Sequence, residues 1–210
     1  MNLIFATNNQ HKIEEIKGLS RNTIRVSGLL EEGFSGEIPE DFPTIEQNAS
    51  QKSWYIFNLF GKNCFSDDTG LEVEALNGDP GVYSARFSRI GDIQYPQLDI
   101  TNGNITKLLY LMKNENNRKA NFKTVISLIL AGVEYQFEGI IPGQISMEKS
   151  GISGFGYDPV FIPNGWDCSF AEMSLEIKNK ISHRAIAMNR LLAFLREDDY
   201  GSTYFIENIK

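Results

Sequence analysis

Histidine and cysteine are scarce in this chain, which holds two of each in 210 residues. Cys64 and Cys168 stand far apart and without metal-ligand spacing, and His11 and His183 add no cluster, so zinc has no ligand set to draw on. Cysteines so placed build no disulfide framework, and a reduced cytoplasm is the expected location. Long apolar runs are missing too. The longest, Val125 to Val133, is interrupted by Ser127 and falls far short of the roughly 20 residues a membrane-crossing helix needs. Met1 to Phe5 has no basic flank and runs straight into polar sequence, unlike a signal peptide. Basic charge is in deficit: 20 Lys and Arg against 27 Asp and Glu give a net charge of −7 and a pI near 5.0. That balance argues against a broad grip on nucleic acid, yet allows a small phosphorylated ligand held by a few lysines. Three motifs are also lacking: the phosphate loop GxxxxGK[ST], the dinucleotide fingerprint GxGxxG after a strand, and the nucleophile elbow GxSxG.

What is present is ordinary for a globular chain, with 41% hydrophobic and 22% charged residues. A chain of this length buries roughly 70% of its unfolded surface, so a single domain over residues 1–210 is expected. Asn2 to Ala6 reads as a buried strand. A helix follows with Ile13, Ile16 and Leu19 on one face and Glu14, Glu15 and Lys17 off it. Thr23 to Ser27 alternates as a second strand. An acidic loop with Glu31, Glu32, Glu37, Glu40, Asp41 and Glu46 comes next, without Lys or Arg between residues 31 and 50. Thr44-x-x-Gln47 fits a capping box and starts a helix with Ile45, Ala49, Ile56 and Phe60 at helical spacing. Asn63 to Ser66 is a strand ending at Asp67-Asp68-Thr69-Gly70, and Leu71 to Ala75 is another. Asp99 to Met112 is helical. Phe122 to Leu130 and Tyr135 to Ile141 form a hairpin turning at Ala131-Gly132, and a last helix runs from about Ser182 to Arg196. Strands alternating with helices and then a hairpin make this an α/β protein with a mixed sheet flanked by helices.

Four segments carry chemistry-bearing residues, each with a structural alternative. Thr7-Asn8-Asn9-Gln10-His11-Lys12 is a small-polar turn entering a helix, where backbone N–H groups and a lysine suit an anion; a plain turn with a solvated Lys12 is the other reading. Asp67-Asp68-Thr69-Gly70 offers hard oxygen ligands for Mg²⁺, with adjacent carboxylates on opposite faces of a strand, or else an Asx-type turn with Gly70 left-handed. Gly154-Phe155-Gly156-Tyr157-Asp158-Pro159 brings backbone and rings against a flat ligand, with Asp158 reading donors on its edge, or packs as a core corner. Ser182-His183-Arg184, with Lys178 four residues earlier, supplies donors for oxygen acceptors or caps a helix.

In this order the segments resemble the inosine triphosphate pyrophosphatase family. Thr7 to Lys12 is similar to its T-G-N-x-x-K, Ser66 to Leu71 to its A-D-D-S-G-L, Gly81 to Phe87 to its P-G-x-Y-S-A-R-[YF], Gly154 to Pro159 to its G-F-G-Y-D-P, and Ser182 to Arg184 to its S-H-R. The resemblance spans residues 2 to about 196. It implies an elongated mixed β-sheet with two lobes around a central nucleotide cleft, commonly a homodimer. It also implies Mg²⁺-dependent hydrolysis of ITP, dITP and XTP to monophosphate and pyrophosphate. By position, Asp68 corresponds to the general base and a metal carboxylate, and Glu40 to the other metal position. Thr7, Asn8, Asn9, Gln10, His11, Lys12, Lys52 and Thr69 match triphosphate contacts. Phe155, Gly156, Tyr157, Asp158, Lys178, His183 and Arg184 match nucleotide-binding positions, with Lys12 counted among the catalytic groups.

Two departures stand out. Asn8 replaces the opening glycine, with left-handed backbone tolerated by asparagine. Gln47 replaces the glutamate of the family's E-N-A, and Glu46, about 100° away around the helix, is a poor substitute, so weaker Mg²⁺ binding is implied. The rivals are a non-catalytic nucleotide-binding module that lost its metal through Gln47, and a Maf-type pyrophosphatase for modified pyrimidine nucleotides, against which the Ser182-His183-Arg184 ending speaks.

Overall fold

The computed structural model describes residues 1–20 and 23–197, so the tail of the expected 1–210 domain lies outside the described residues. Seven strands form one mixed sheet: β1 (Asn2–Phe5), β2 (Arg25–Gly28), β3 (Cys64–Val73), β4 (Pro80–Gly81), β5 (Lys119–Leu130), β6 (Val133–Ile145) and β7 (Phe161–Pro163). Their order is β2-β1-β3-β5-β6-β7, with β4 beside β3. β1 runs parallel to β2 and β3, and every other pairing is antiparallel. Among the described residues five α-helices flank it: α1 (Gln10–Ser20), α2 (Ile45–Phe60), α3 (Ile100–Leu111), α4 (Leu175–Ile181) and α5 (His183–Glu197). The expected α/β class with a mixed, helix-flanked sheet is what forms.

Local chemistry accounts for several boundaries. Thr44 Oγ1 accepts from the Gln47 N–H at 3.2 Å and starts α2, while Gln47 Oε1 accepts from the Thr44 hydroxyl, so half of the expected capping box forms; Gly61 at φ 63° ends the helix. Asp99 caps α3 in the same way through the Asn102 N–H. Ala131 and Gly132, at φ 51° and 80°, make the two-residue turn that joins β5 to β6 with the twist a hairpin wants.

Asp67-Asp68-Thr69-Gly70 is not a turn. It lies inside β3, paired residue for residue with β5, Asp67 opposite Ile126 and Asp68 opposite Val125. Gly70 has ordinary negative φ; its need is space, because an added Cβ would come within 2.7 Å of the Gly81 carbonyl and 2.8 Å of Ile45. Ladder pairing overrides turn-forming composition here.

β3 spans the molecule. At its start, Phe65 packs with Leu3, Phe5, Ile126, Leu128 and residues of α1 and α5, while Cys64 joins Ile4, Ile56 and Ile129 on the α2 side. At its end, Leu71 and Val73 enter a separate core with Ile105 and Leu108 of α3, Phe122, Phe161 and Phe170. These two ends are the expected lobes. One edge of β3 pairs with β5 throughout. The other pairs with β1 only at Cys64 and Phe65 and with β4 at Leu71 and Glu72, leaving residues 66–70 open between them. A crevice beyond the carboxyl end of β1 follows, the usual ligand position in α/β sheets.

Candidate active site

That crevice is a cavity of about 610 Å³, within the range of small-molecule sites. Of the residues singled out from sequence, Thr7, Asn8, Asn9, His11, Lys12, Glu40, Lys52, Asp68, Thr69, Phe155, Gly156, Tyr157, Asp158, Lys178, His183 and Arg184 line it. Gln10 does not; it borders a smaller pocket beside Lys17 and Glu31.

The β1–α1 turn supplies one wall. Asn9 caps α1 by accepting from the Lys12 N–H at 3.2 Å, and Asn8 donates to the Gly36 carbonyl at 2.9 Å, tying the turn to the acidic loop. Asn8 keeps a negative φ, so the left-handed backbone for which asparagine is suited is not used. Lys12 Nζ lies 2.8 Å from Asp67 Oδ1. From α2, Lys52 Nζ sits between two carboxylates, 2.5 Å from Glu40 and 2.8 Å from Asp68. The acidic loop that carries Glu40 is strapped to α2 at Asn48, which accepts from the Phe42 N–H and donates to its carbonyl, and at Gln51, which accepts from the Asp41 N–H and donates to its carboxylate. Arg86 approaches Glu40 at 3.9 Å.

The other end is drier. Lys178 Nζ lies 2.8 Å from Glu15 and 2.6 Å from Asp158; Arg184 reaches Glu15 at 2.5 Å, Asp67 at 3.0 Å and Thr69 at 3.3 Å. Asp158 Oδ2 also accepts the Phe155 N–H at 2.8 Å, so this carboxylate shapes its own loop. Gly154 has φ +76°, and a Cβ there would collide with the Asp158 carboxylate. His183 stacks on Phe122, ring centres 4.5 Å apart, and its Nδ1 is buried without a partner among the described residues. Gly139 on β6 seats this helix start: a Cβ there would strike the His183 carbonyl and come within 2.5 Å of the Ala187 nitrogen.

Adjacent carboxylates on β3 face opposite ways and acquire opposite character. Burial alone would raise Asp67, but Lys12, Arg184 and Lys52 outweigh it and hold its carboxyl well below the usual range. For Asp68 burial wins over the attraction of Lys52 and Lys12, with Glu40 adding to the rise. A pair pushed apart in this manner divides into a fixed anion, Asp67, and a proton acceptor, Asp68. Burial would depress the Lys52 ammonium, yet Asp68, Glu40 and Asp67 together raise it. Burial, with Arg184 and Lys178 adding to it, pushes His183 well below an ordinary imidazole and keeps it neutral.

Three contributors were not foreseen. Glu15, assigned to the polar side of α1, is buried at 4% exposure and joins Lys178 to Arg184. Asn48 positions Glu40, and Asn104 of α3 donates to the Ser84 and Ala85 carbonyls on the cleft wall. Gln47 is exposed, stays at the α2 cap beside Thr44, and does not line the cleft. Glu46 pairs with Lys123 at 2.5 Å and does not line the cleft either.

A sequence model of the Ham1 family matches residues 3–194, nearly the whole of this architecture. The chain belongs to the Ham1 family. It is 46% identical over 195 residues to a dITP/XTP pyrophosphatase of Flavobacterium johnsoniae, covering 93% of this chain and 98% of that one. It is 48% identical over 195 residues to a dITP/XTP pyrophosphatase of Christiangramia forsetii, covering 93% and 99%. The Staphylococcus aureus Ham1 protein superposes with a TM-score of 0.81 at 37% identity, covering 94% of this chain and 99% of that one. A Mycobacterium abscessus structure described as a nucleoside-triphosphatase and dITP/XTP pyrophosphatase gives 0.70 at 34% identity, covering 91% and 99%. Like those Ham1 structures, the chain is a mixed, curled sheet with helices on both faces.

Proposed function

We propose that this Ham1-family protein hydrolyses nonstandard purine nucleoside triphosphates, ITP, dITP and XTP, to the monophosphate and pyrophosphate, with Mg²⁺ as cofactor. The observation that carries the reading is one cleft that gathers every residue given a catalytic, binding or metal role by position except Gln10, with lysines and carboxylates at one end and flat rings with buried donors at the other. In the pairs that line or back it, five cations (Lys12, Lys52, Arg86, Lys178, Arg184) face five carboxylates (Glu15, Glu40, Asp67, Asp68, Asp158). A polyphosphate therefore enters a balanced site in which lysines exchange carboxylate partners for phosphate oxygens.

The donor set suits Mg²⁺. Glu40 and Asp68 already converge on one cationic point, the Lys52 ammonium, and among the described residues no cluster of three or more His, Cys, Asp and Glu occurs. Two carboxylates, with phosphate and water completing the shell, are what Mg²⁺ accepts. Glu40 and Asp68 would hold it, and when bound it would neutralise phosphate charge and polarise the reacting phosphoryl group.

The chain's own residues do the rest. Asp68, with its raised proton affinity, takes a proton from the water that attacks the α-phosphorus; the bond to the bridging oxygen breaks and pyrophosphate leaves. Lys12 and Lys52 bind phosphate oxygens as charge develops on them. Asp67 holds Lys12 and Arg184 in place. At the base end Lys178 and Arg184 each retain an N–H beyond their ion pairs to donate to a 6-oxo group. Adenine presents an amino donor there, which leaves those buried donors unpaired.

The test is product analysis of ITP, XTP, ATP and GTP with and without Mg²⁺. Monophosphate and pyrophosphate from ITP and XTP, dependent on Mg²⁺ and far above ATP, is the expected result. ITP bound without turnover would establish a binding module instead. A preference for modified UTP or TTP would establish the pyrimidine-directed reading.

A further inference from the structure

His11 belongs to the turn matched to triphosphate contacts, yet its ring faces elsewhere. The imidazole stacks on Phe155, centres 5.4 Å apart and planes within 11° of parallel, and both rings line the cleft. α1 explains the placement. His11 lies four residues before Glu15 and therefore on the same helix face, which Glu15 anchors to Lys178 and Arg184. Lys12, one position on, turns to Asp67. The phosphate turn thus sends a flat aromatic ring to the base end.

We propose that the His11 imidazole is an intramolecular stand-in for the purine, stacked on the Phe155 surface that a base needs and yielding it when a base binds. This inference rests on the nucleotide reading above. The two rings are unequal in freedom. Phe155 is half-buried, its N–H is held by Asp158 at 2.8 Å, and Lys178 and Arg184 lie 5.0 and 5.6 Å from its ring centre. His11 is exposed. Its χ torsions swing the ring aside without disturbing the backbone of α1, so His11 is the partner that moves.

Such a stand-in lowers affinity for every base alike, because displacing it reads no substituent of the purine. An aromatic pair of this kind corresponds to roughly a two- to tenfold effect on apparent binding.

The experiment compares wild type, His11→Ala and His11→Trp by calorimetry with inosine and with ITP. His11→Ala is expected to tighten both ligands by the same roughly two- to tenfold factor, leaving the ratio of ITP to ATP in kcat/KM unchanged. His11→Trp, a larger stacking ring, is expected to weaken both. Weaker ITP binding with inosine unchanged would make His11 a phosphate contact. Weaker binding of both by His11→Ala would make it part of the platform that holds the base. No change in either also overturns the proposal. Failure of the pyrophosphatase reading is distinguished separately, by wild type releasing no pyrophosphate from ITP.

Discussion

At the phosphate end a wet rim, with the side chains of Glu40 and Arg86 36% and 40% exposed and Lys12 15%, surrounds a buried Lys52–Asp68 pair at 6% and 10%, whereas at the base end Glu15, Asp158, Lys178 and Arg184 are all at 6% or below. The pairing chemistry is the same at both ends; the solvent is not. Exposed pairs are weak and readily exchange partners. Buried pairs resist change, because removing one member strands the other in a medium that cannot solvate it. The wet rim of the phosphate end, with Lys12, is accordingly arranged for hand-over to an incoming polyanion. The base end is arranged to stay as it is, so that a purine is measured against fixed donors.

The largest expected effect lies at the first end. Asp68→Asn keeps the shape but removes both the proton acceptor and one of the two carboxylates proposed for Mg²⁺, and the kcat for ITP falls by roughly 10²–10⁴-fold, read by steady-state kinetics at saturating Mg²⁺. Retained turnover would remove Asp68 from the mechanism. Next comes the buried end. Glu15→Ala leaves Lys178 and Arg184 facing each other without their shared anion, at a cost of about 3 kcal/mol in urea unfolding and with a loss of the ITP-over-ATP preference. Lys12→Ala, at the wetter rim, costs less stability; equal losses would erase the contrast between the two ends.

The smallest effect is a slope. His183 is held neutral in the fold, below its ordinary 6.5, while the unfolded chain's imidazole takes up a proton at that value. The unfolded state then binds more protons, so stability is full above 6.5 and declines as pH falls toward the folded value. The expected loss between pH 7.5 and 5.5 is about 1.4 kcal/mol in total, the slope steepening toward about 1.4 kcal/mol per pH unit only well below 6.5. His183→Asn should flatten it in urea titrations at pH 7.5 and 5.5. A slope that survives the substitution belongs to another group.

Much of this was legible in the chain. The Thr44 cap, the Ala131-Gly132 turn and the helices at Asp99 and Ser182 rest on local chemistry, and they formed as expected. The order of the five segments found nearly the whole cleft. What escaped notice depended on distant partners. Glu15 reads as polar surface because nothing within α1 reveals that Lys178 and Arg184 will arrive from the far end of the chain. Asp67-Asp68-Thr69-Gly70 has the composition of a turn, and only the ladder to β5 makes it a strand. Gly139 is one glycine among 18 until α5 is laid against it.

β3 is, mechanically, a beam clamped along its whole length to β5, with Asp67, Asp68 and Thr69 at mid-span. The two lobes share that beam, so the carboxylates at mid-span are held from both sides. The rest of the cleft wall is attached to the beam from outside: the Thr7–Lys12 turn, the acidic loop around Glu40 and the glycine-rich segment at Phe155. Fittings of that kind can be exchanged one at a time, altering which base is admitted without shifting the carboxylates that perform the cut.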